Sequence, residues 1–221
     1  MGRSCRCCCW CFNACSNNRQ TCNFALDIVQ RQAAKDRILI PALARHFIAG
    51  RVLELGAGVG QLSQLLIGLG HKVVPSDYAG IFVDHMRKDG LNAHRVDATD
   101  IRAAGLGQFE NIFCQSISPF ITTDYAIVKQ AYASVLDALT PGGRLVQIHA
   151  MEAWSHVGRV MADHLQLCRE AGFTQVSAFR NQLLPSAAYA VPFSLLARPA
   201  EALFGPSLGS RFVIVASRPS E

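Results

Sequence analysis

The sequence lacks the long apolar runs and the basic clusters that define two large classes of protein. No uninterrupted apolar run reaches the roughly 18 residues that a membrane-spanning helix needs. No run of lysine and arginine, alone or mixed with aromatic residues, gives the positive footprint typical of nucleic-acid binding. The net charge is only +5 over 221 residues. We therefore expect no transmembrane segment and no nucleic-acid partner.

Cysteine is also scarce over most of the chain. The sequence has nine cysteines, but only Cys114 and Cys168 lie beyond residue 22. Two widely separated cysteines are typical of a reduced protein of the cytoplasm, where disulfides rarely persist. Residues 23–221 have the length of one ordinary domain. The sequence therefore predicts a single cytoplasmic domain over these residues.

The other seven cysteines are crowded into residues 1–22, which we predict to be a disordered extension. Their spacing matches no paired C-x2-C zinc pattern, so we predict no metal site. Other interpretations stay open. Dense thiolates bind soft metals, and cysteines beside Arg3 and Arg6 are also typical of a lipidated or targeting segment. An initiation codon assigned too early would explain the segment equally well.

Strand and helix patterns alternate through the rest of the chain. A helical pattern over residues 23–47 comes first, and further helical patterns separate the strand-like runs that follow. These runs lie at 51–55, 71–75, 92–96, 111–117, 144–149, 174–179 and 212–216. The alternation predicts a Rossmann-like α/β fold, with a doubly wound, mostly parallel seven-stranded sheet and helices on both faces.

Residues 183–208 interrupt this alternation before the last strand. The segment is apolar and is divided by four prolines, which predicts an insertion. Three roles stay open: a lid over an apolar substrate, a contact in a homodimer or at a membrane surface, or packing against the core. Arg198 is the only basic residue between Arg180 and Arg211. This scarcity argues against electrostatic attachment to a membrane.

The most informative motif is the glycine turn after the first predicted strand. Glu54 lies near the end of the strand, and Gly56, Gly58 and Gly60 follow before a helical pattern. Glycine lets a ligand approach the backbone closely. The spacing differs from the dinucleotide pattern G-x-G-x-x-G, because Gln61 stands where that pattern has its third glycine. A carboxylate at Glu54 would repel a pyrophosphate, and it suits a cationic ligand.

This Glu-x-Gly-x-Gly-x-Gly arrangement resembles motif I of the class I S-adenosylmethionine (SAM)-dependent methyltransferases. SAM carries an ammonium and a sulfonium group and no phosphate, which agrees with an acid near the turn. The Pro-Gly-Gly sequence at 141–143 is similar to the turn before the family's fifth strand, and the whole resemblance covers residues 34–149. It implies SAM as the cofactor, with its methionine part held by Glu54, Gly56, Ala57, Gly58 and Gly60.

The resemblance also implies roles for residues that end the second and third strands. Asp77 would bind the ribose hydroxyls, although an aspartate here also suits the N-cap of a helix over residues 80–88. Tyr78 would pack on the adenine or serve as an ordinary core aromatic. Asp97 would accept a hydrogen bond from the adenine amino group, while the backbone N–H of Ala98 reaches the ring.

The fourth strand is where contacts with the substrate are expected to begin. Gln115 is predicted to line the cofactor pocket, and Cys114 is interpreted as a core residue because buried thiols are inert. The triplet from Ser118 to Phe120 departs from the Asn/Asp-Pro-Pro-aromatic motif of the amino-methylating branch of the family. This departure argues against methylation of adenine N6 or of a glutamine amide.

His149, at the end of the fifth strand, is the one candidate catalytic residue. A histidine with a pKa near 7 can remove a proton from a substrate hydroxyl during O-methylation. The alternative is that His149 orients the following loop or is partly buried. Methyl transfer depends chiefly on in-line approach of the nucleophile, so the reaction does not require a general base.

The combined prediction is a SAM-dependent methyltransferase that acts on a small molecule, with an apolar one favoured by the insertion. A methyltransferase-like domain that binds SAM or a partner without turnover is one alternative. An NAD(P)-binding oxidoreductase is another, opposed by Glu54 and Gln61. A metal- or redox-responsive protein acting through its cysteine-rich extension is the third.

Overall fold

The computed structural model describes residues 33–122, 124–150, 160–182, 189 and 194–220. The predicted extension at residues 1–22 lies outside this part of the chain, so its role stays a prediction. The described residues contain seven strands. These are β1 Arg51–Leu55, β2 Lys72–Asp77, β3 His94–Arg95, β4 Phe109–Gln115, β5 Leu139–Ala150, β6 Thr174–Asn181 and β7 Arg211–Ser217.

The strands form one sheet in the order β3-β2-β1-β4-β5-β7-β6. Strands β1 to β5 pair in parallel, whereas β7 runs antiparallel to both β5 and β6. The prediction of a seven-stranded, mostly parallel, doubly wound sheet is confirmed, and the sheet is mixed because of β7. After β1 the chain forms β2 and β3 on one side of β1, and it later forms β4 on the other side of β1. Ligands of such sheets bind at this switch point, beyond the carboxyl ends of the strands.

Helices cover both faces of the sheet. Helix α1 covers residues 33–43 of the described chain, and short 3-10 turns follow at Ala44–His46 and later at Ile101–Ala104. The other helices are α2 Gln61–Gly68, α3 Gly80–Lys88, α4 Ser118–Ile121, α5 Tyr125–Ala138, α6 Val160–Glu170 and α7 Ser194–Leu208.

Alternate residues of each strand pack on opposite faces, as strand geometry requires. Leu53 belongs to the larger apolar cluster, which includes buried residues of α5 and α6. Val52, its neighbour, belongs to a second cluster with Ile40 and Leu43 of α1 and Leu66 of α2. The two layers bury most residues of the central strands β1 and β4 and so fix the positions of their carboxyl ends.

The Pro-Gly-Gly sequence at 141–143 lies inside β5, where the sequence predicts a turn before the strand. Phe109 of β4 pairs with Leu139, but Asn111, two residues later, pairs with Arg144. The extra residues on β5 form an irregularity, in which Gly142 has a φ of +74° that side chains rarely adopt. The Gly142 N–H donates to the carbonyl of Pro219 over 3.2 Å, so the irregularity is tied to the C-terminal segment.

The end of the predicted insertion is a helix, α7, although it contains Pro199 and Pro206. Ala197 of α7 is fully buried in a small cluster with Leu39 and Tyr189, which anchors the helix on α1. Several large apolar side chains of the same helix are exposed: Leu196, Leu203, Phe204 and Leu208. Tertiary packing thus favours a helix where proline predicts interruption, and the role of the insertion stays a prediction.

Within the described residues, no helix is both long and apolar enough to cross a membrane. The same residues contain no group of three or more histidine, cysteine or acidic side chains arranged to hold a metal ion.

Candidate functional site

The glycine turn closes tightly after β1. Gly56, Gly58 and Gly60 have φ values of +70°, +57° and +82°, in the left-handed region that favours glycine. A Cβ at Gly56 would collide with the side chain of Ile117, and one at Gly60 would lie 2.6 Å from Leu91. The turn therefore requires glycine at the first and third positions for space as well as for conformation.

Asp77 connects the end of β2 to this turn. Its Oδ2 accepts a hydrogen bond from the Gly58 N–H over 3.0 Å, and its Oδ1 accepts one from the Ala79 N–H over 2.9 Å. The capping interpretation is wrong, because the N-cap of α3 is Ala79 and the helix has no side-chain cap. Asp77 instead holds the backbone of the residue immediately before the helix. Each carboxylate oxygen retains a further lone pair for a ligand donor.

Asp97 lies in the loop after β3. Its Oδ1 accepts hydrogen bonds from the Thr99 N–H over 2.8 Å and the Thr99 hydroxyl over 2.7 Å. No group in the described part of the chain donates to its other oxygen, Oδ2. Ala98, which follows, is buried. Asp97 is thus held in one orientation while half of its carboxylate stays available.

The end of β4 forms the opposite side of the site. Ser116 follows the strand with a φ of +50°, which is uncommon for a residue other than glycine. Its N–H donates to the carbonyl of Ile148 over 2.8 Å. The side-chain oxygen of Gln115 is buried and has no hydrogen-bond partner among the described residues. A buried polar atom of this kind is stabilised when a ligand supplies the missing bond.

These segments enclose one cavity of about 500 Å³, which we call the main cavity. This volume falls in the range of small-molecule sites, about 300–1,000 Å³. Of the residues that the structure describes, two carboxylates line it, and no lysine, arginine or histidine does. Its lining is Leu55, Gly56, Asp77, Tyr78, Val96, Asp97, Ala98, Thr99, Gln115, Ser116, Ile117, Ser118, Pro119, Thr122 and Ile127.

The structure thus brings six of the predicted site residues together around the main cavity: Gly56, Asp77, Tyr78, Asp97, Ala98 and Gln115. Sequence reasoning missed the roles of Thr99, Ser116, Ile117 and Thr122. The Asp-x-Thr spacing of Asp97 and Thr99 was a usable signal for the hydrogen bonds between them. Nothing in the sequence marked Ser116, because its positive φ is visible only in the folded chain.

Tyr78 is not a core residue, because 63% of it is exposed at the mouth of the main cavity. The guanidinium of Arg95 lies over its ring, 5.5 Å from the centroid, and the Arg95 Nε–H donates to the Tyr78 carbonyl over 3.0 Å. The core interpretation is therefore wrong, and contact with adenine stays a prediction.

Four predicted residues of the turn do not line the main cavity: Glu54, Ala57, Gly58 and Gly60. The Glu54 side chain is buried, and its carboxyl accepts a hydrogen bond from the Ser63 hydroxyl of α2. Burial raises the pKa of Glu54 to about 7, with the Ser63 bond opposing the rise and the nearby Asp36 and Asp77 adding to it. Direct contact of Glu54 with a ligand stays a prediction, and its observed contact joins β1 to α2.

His149 lies in the core beside the ring of Phe212, and it does not line the main cavity. The centroid of the His164 ring is 4.3 Å from that of His149. Burial, followed by the proximity of His164, lowers the pKa of His149 well below its ordinary value. The imidazole is therefore neutral at pH 7. Because it does not line the main cavity, its role as a base stays a prediction.

A buried polar network lies behind α4. The Tyr132 hydroxyl donates to Gln147 Oε1 over 2.9 Å and lies 2.7 Å from His164 Nδ1. His164 also makes a hydrogen bond to the backbone of Phe120, and burial lowers its pKa to about 4. Because Phe120 belongs to α4, this network supports the wall of the main cavity without entering it.

Cys114 and Cys168 are both buried free thiols. Burial raises the pKa of Cys114 far above its ordinary value and that of Cys168 to about 12. A thiol with such a pKa is not a nucleophile at neutral pH. These features support the interpretation of Cys114 as a core residue.

Comparison with known proteins identifies the fold. The sequence matches no protein-family model and no curated protein. A SAM-dependent methyltransferase from Archaeoglobus fulgidus is similar with a TM-score of 0.58 and 13% identity, over 85% of this chain and 94% of that one. The glycopeptide N-methyltransferase MtfA in complex with SAM gives a TM-score of 0.60 and 17% identity, over 84% and 87%.

The carbon methyltransferase CurJ is also similar, with a TM-score of 0.55 and 19% identity over 85% of this chain. The matched region spans only 54% of the CurJ chain. At these identities the likeness establishes the fold. The chain therefore has the fold of the class I SAM-dependent methyltransferases, as the resemblance of its sequence implies.

Proposed function

We propose that the protein is a SAM-dependent methyltransferase that binds SAM in the main cavity. One observation carries the proposal: among the described residues, the cavity at the switch point of this fold is lined by Asp77 and Asp97 and by no basic side chain. SAM is a cation at its sulfonium and ammonium groups, and carboxylates favour a cation. A phosphate-bearing cofactor would meet two negative charges and no positive one from the described part of the chain.

The lining residues fit the parts of SAM. Asp77 has unused lone pairs for the ribose hydroxyls, and Asp97 has a free oxygen for the amino group of adenine. Ala98 would place its backbone beside the ring, and the buried oxygen of Gln115 is available to a ligand donor. When bound, SAM supplies an electrophilic methyl group. The chain itself contributes position and orientation, which supply much of the rate in a reaction of this type.

We further propose that the acceptor is a small uncharged molecule with apolar character. The side of the main cavity formed after β4 includes Ile117, Pro119 and Ile127, together with the hydroxyl groups of Ser118 and Thr122. Apolar walls with a few polar groups are typical of small-molecule sites. The departure of residues 118–120 from the amino-methylating motif agrees with an acceptor other than a nucleic-acid base.

An oxidoreductase is less compatible with this arrangement. Tyr125 and Lys129 have a Tyr-x-x-x-Lys spacing that occurs in dehydrogenases. However, the Tyr125 hydroxyl donates to Asp163 over 2.7 Å, and Lys129 pairs with Glu170 over 2.9 Å. Neither residue lines the main cavity. The pair therefore has surface partners and no access to a cofactor at the switch point.

The test is calorimetric titration of the full chain with SAM, S-adenosylhomocysteine and NADH. We expect binding of the first two and none of NADH. Asp97→Asn should weaken binding of SAM, whereas Asp84→Asn, on the exposed side of α3, should leave it unchanged. Folded protein that binds NADH, or that binds none of the three, would overturn the proposal.

Turnover requires a second measurement, because a non-catalytic domain makes the same binding prediction. The protein is incubated with SAM and a panel of small uncharged acceptors, and S-adenosylhomocysteine is measured. Its formation with one class of acceptor, and its absence with the Asp77→Asn variant, support a methyltransferase. SAM binding without product over the whole panel supports the domain without turnover.

A further inference from the structure

A second cavity lies between α1, β6 and α7. Its volume is about 440 Å³, and none of its described lining residues lines the main cavity. Strands β5 and β7 separate β6 from β4. The two cavities are therefore about three strand spacings apart, on the order of 14 Å at their nearest strands. This second space, which we call the basic cavity, is a separate feature of the molecule.

Four described arginines line the basic cavity: Arg37 on α1, Arg45 in the 3-10 turn after it, Arg180 on β6 and Arg198 on α7. The described part of the lining contains one acid, Glu201, whose carboxyl accepts a hydrogen bond from the Tyr189 hydroxyl. The four guanidinium groups and the one carboxylate of the described lining thus give the basic cavity an excess of three positive charges. Like charges around one cavity repel one another, and a bound anion relieves that repulsion.

These arginines differ from most others in the described chain. Arg51, Arg102, Arg144 and Arg218, for example, donate hydrogen bonds to carbonyl or carboxylate oxygens. Five described arginines make no hydrogen bond or ion pair with the described residues, and four of them line the basic cavity. The fifth is Arg169, which is exposed on α6. The concentration of unpaired guanidinium groups in one cavity is therefore specific to this place.

An amide in the wall of the basic cavity also lacks a partner. Asn181, the last residue of β6, is only 7% exposed, and its Oδ1 is buried without a hydrogen bond within the described chain. An amide can present either an oxygen or an NH2 group to a ligand, because the two orientations have nearly the same shape. A ligand in the cavity would complete the hydrogen bonding of this group.

Most of the remaining described wall is apolar. Leu39 and Leu43 of α1 are buried, and the ring of Phe179 lies 5.1 Å from that of His46. Burial lowers the pKa of His46, with the nearby Arg144 adding to this effect, so its imidazole favours the neutral state. The cavity therefore combines an apolar side with four positive groups, and it suits a molecule that has both characters.

We propose that the basic cavity binds a small organic anion, with a phosphate or carboxylate group facing the arginines and an apolar body against α1 and Phe179. Guanidinium groups bind both anions through paired, charge-assisted hydrogen bonds. The volume lies within the range of about 300–1,000 Å³ for small-molecule sites. The proposal is independent of methyl transfer, because it uses no residue of the main cavity.

The test is calorimetric titration of the full chain, without SAM, with three ligands of similar shape: phenyl phosphate, benzoate and phenol. We expect binding of at least one of the two anions and none of phenol. Stronger binding of phenyl phosphate identifies a phosphate site, and stronger binding of benzoate identifies a carboxylate site. Equal binding of phenol, or no binding of either anion, overturns the proposal.

A pair of double variants assigns the binding to this cavity. Arg180→Gln with Arg198→Gln should weaken binding of the preferred anion on the order of tenfold, because two charge-assisted hydrogen bonds are lost. Arg102→Gln with Arg169→Gln removes the same charge outside the cavity and should leave binding unchanged. All four side chains are exposed, so both proteins are expected to fold. Equal weakening in the two double variants would contradict the assignment.

Discussion

The carboxylate of Asp77 accepts a hydrogen bond from the backbone N–H of Gly58 over 3.0 Å. This bond joins the end of β2 to the turn after β1, between strands that pair in parallel. The other carboxylate oxygen accepts from Ala79, immediately before α3. One side chain therefore holds the turn, the strand and the following helix in place, and it also lines the main cavity.

The first prediction concerns this carboxylate. Asp77→Asn removes its negative charge and converts one acceptor oxygen into a donor group. We expect the affinity for SAM to fall by about 1–3 kcal/mol, the value of a charge-assisted hydrogen bond. Calorimetry measures the affinity, and Asp84→Asn is the control for a surface charge. A variant with the wild-type affinity for SAM would exclude contact between Asp77 and the cofactor.

The second prediction compares two glycines of the same turn. Gly58→Ala places a Cβ in open space. The variant is therefore destabilised only by the left-handed backbone conformation, which costs alanine about 1–2 kcal/mol. Gly56→Ala adds a collision with Ile117, which lines the main cavity. We expect Gly56→Ala to lower both the free energy of unfolding and the SAM affinity more than Gly58→Ala does.

Urea unfolding and calorimetry on the two alanine variants provide the comparison. The φ values of the two glycines are similar, so the conformational effect is common to both and largely cancels. Equal loss of affinity in the two variants would mean that the Ile117 contact has no influence on the cavity.

The third prediction follows from the buried Glu54. Its pKa rises from 4.5 to about 7 on folding, so the folded state retains the proton between these pH values after the unfolded state has lost it. The contribution of Glu54 to the free energy of unfolding is therefore complete below pH 4.5 and is lost as the pH rises to 7. Glutamine does not ionise, so the free energy of unfolding of Glu54→Gln should rise by about 3 kcal/mol relative to that of wild type between pH 4.5 and 8.

Urea unfolding at several pH values measures this gain. Glu170→Gln is the matched control, because Glu170 is on the surface and pairs with Lys129, and such exposed pairs contribute little. A constant difference between Glu54→Gln and wild type at all pH values would show that Glu54 titrates as an ordinary carboxyl group.

The fourth prediction has the opposite sign and concerns His164. Its pKa falls from 6.5 to about 4 on folding, chiefly through burial. As the pH decreases below 6.5 the unfolded state takes up the proton first, so the free energy of unfolding decreases until about pH 4. His164→Gln should remove this dependence. From pH 4 to 7, the free energy of unfolding of wild type should rise by about 3 kcal/mol relative to that of the variant.

Acid titration followed by circular dichroism, at a fixed urea concentration, measures the difference. His85→Gln, on the half-exposed face of α3, is the control. If His164→Gln and wild type lose stability in parallel below pH 6.5, the buried imidazole is not responsible for the dependence.

Most of the fold was predictable because periodic patterns reflect local geometry. The predicted helix over residues 80–88 agrees with α3, and the predicted strand over 51–55 agrees with β1. The Pro-Gly-Gly sequence at 141–143 was assigned to a turn, whereas it lies within β5 as an irregularity between Leu139 and Arg144, which both pair with β4. Helix α7 was missed because proline opposes a helix locally, while burial of Ala197 against Leu39 favours it through a distant contact.

The two acids of the main cavity were also predictable, since the carboxyl ends of parallel strands meet at one edge of the sheet. Asp77 and Asp97 end successive strand segments and lie on the same cavity. The orientation of Glu54 toward Ser63, and the burial of His149 against Phe212, depend on side-chain packing. No sequence spacing carries that information.

The sequence by itself determined the order of strands and helices, the glycine turn, and the acids that follow β2 and β3, because each depends on backbone conformation over a few residues. The tertiary structure decided which side chains share a cavity. Arg180 and Arg198 are isolated basic residues along the chain, yet β6 and α7 bring them together with Arg37 and Arg45. Residues far apart in sequence meet only when the two apolar layers pack on the sheet, and that packing depends on the whole chain.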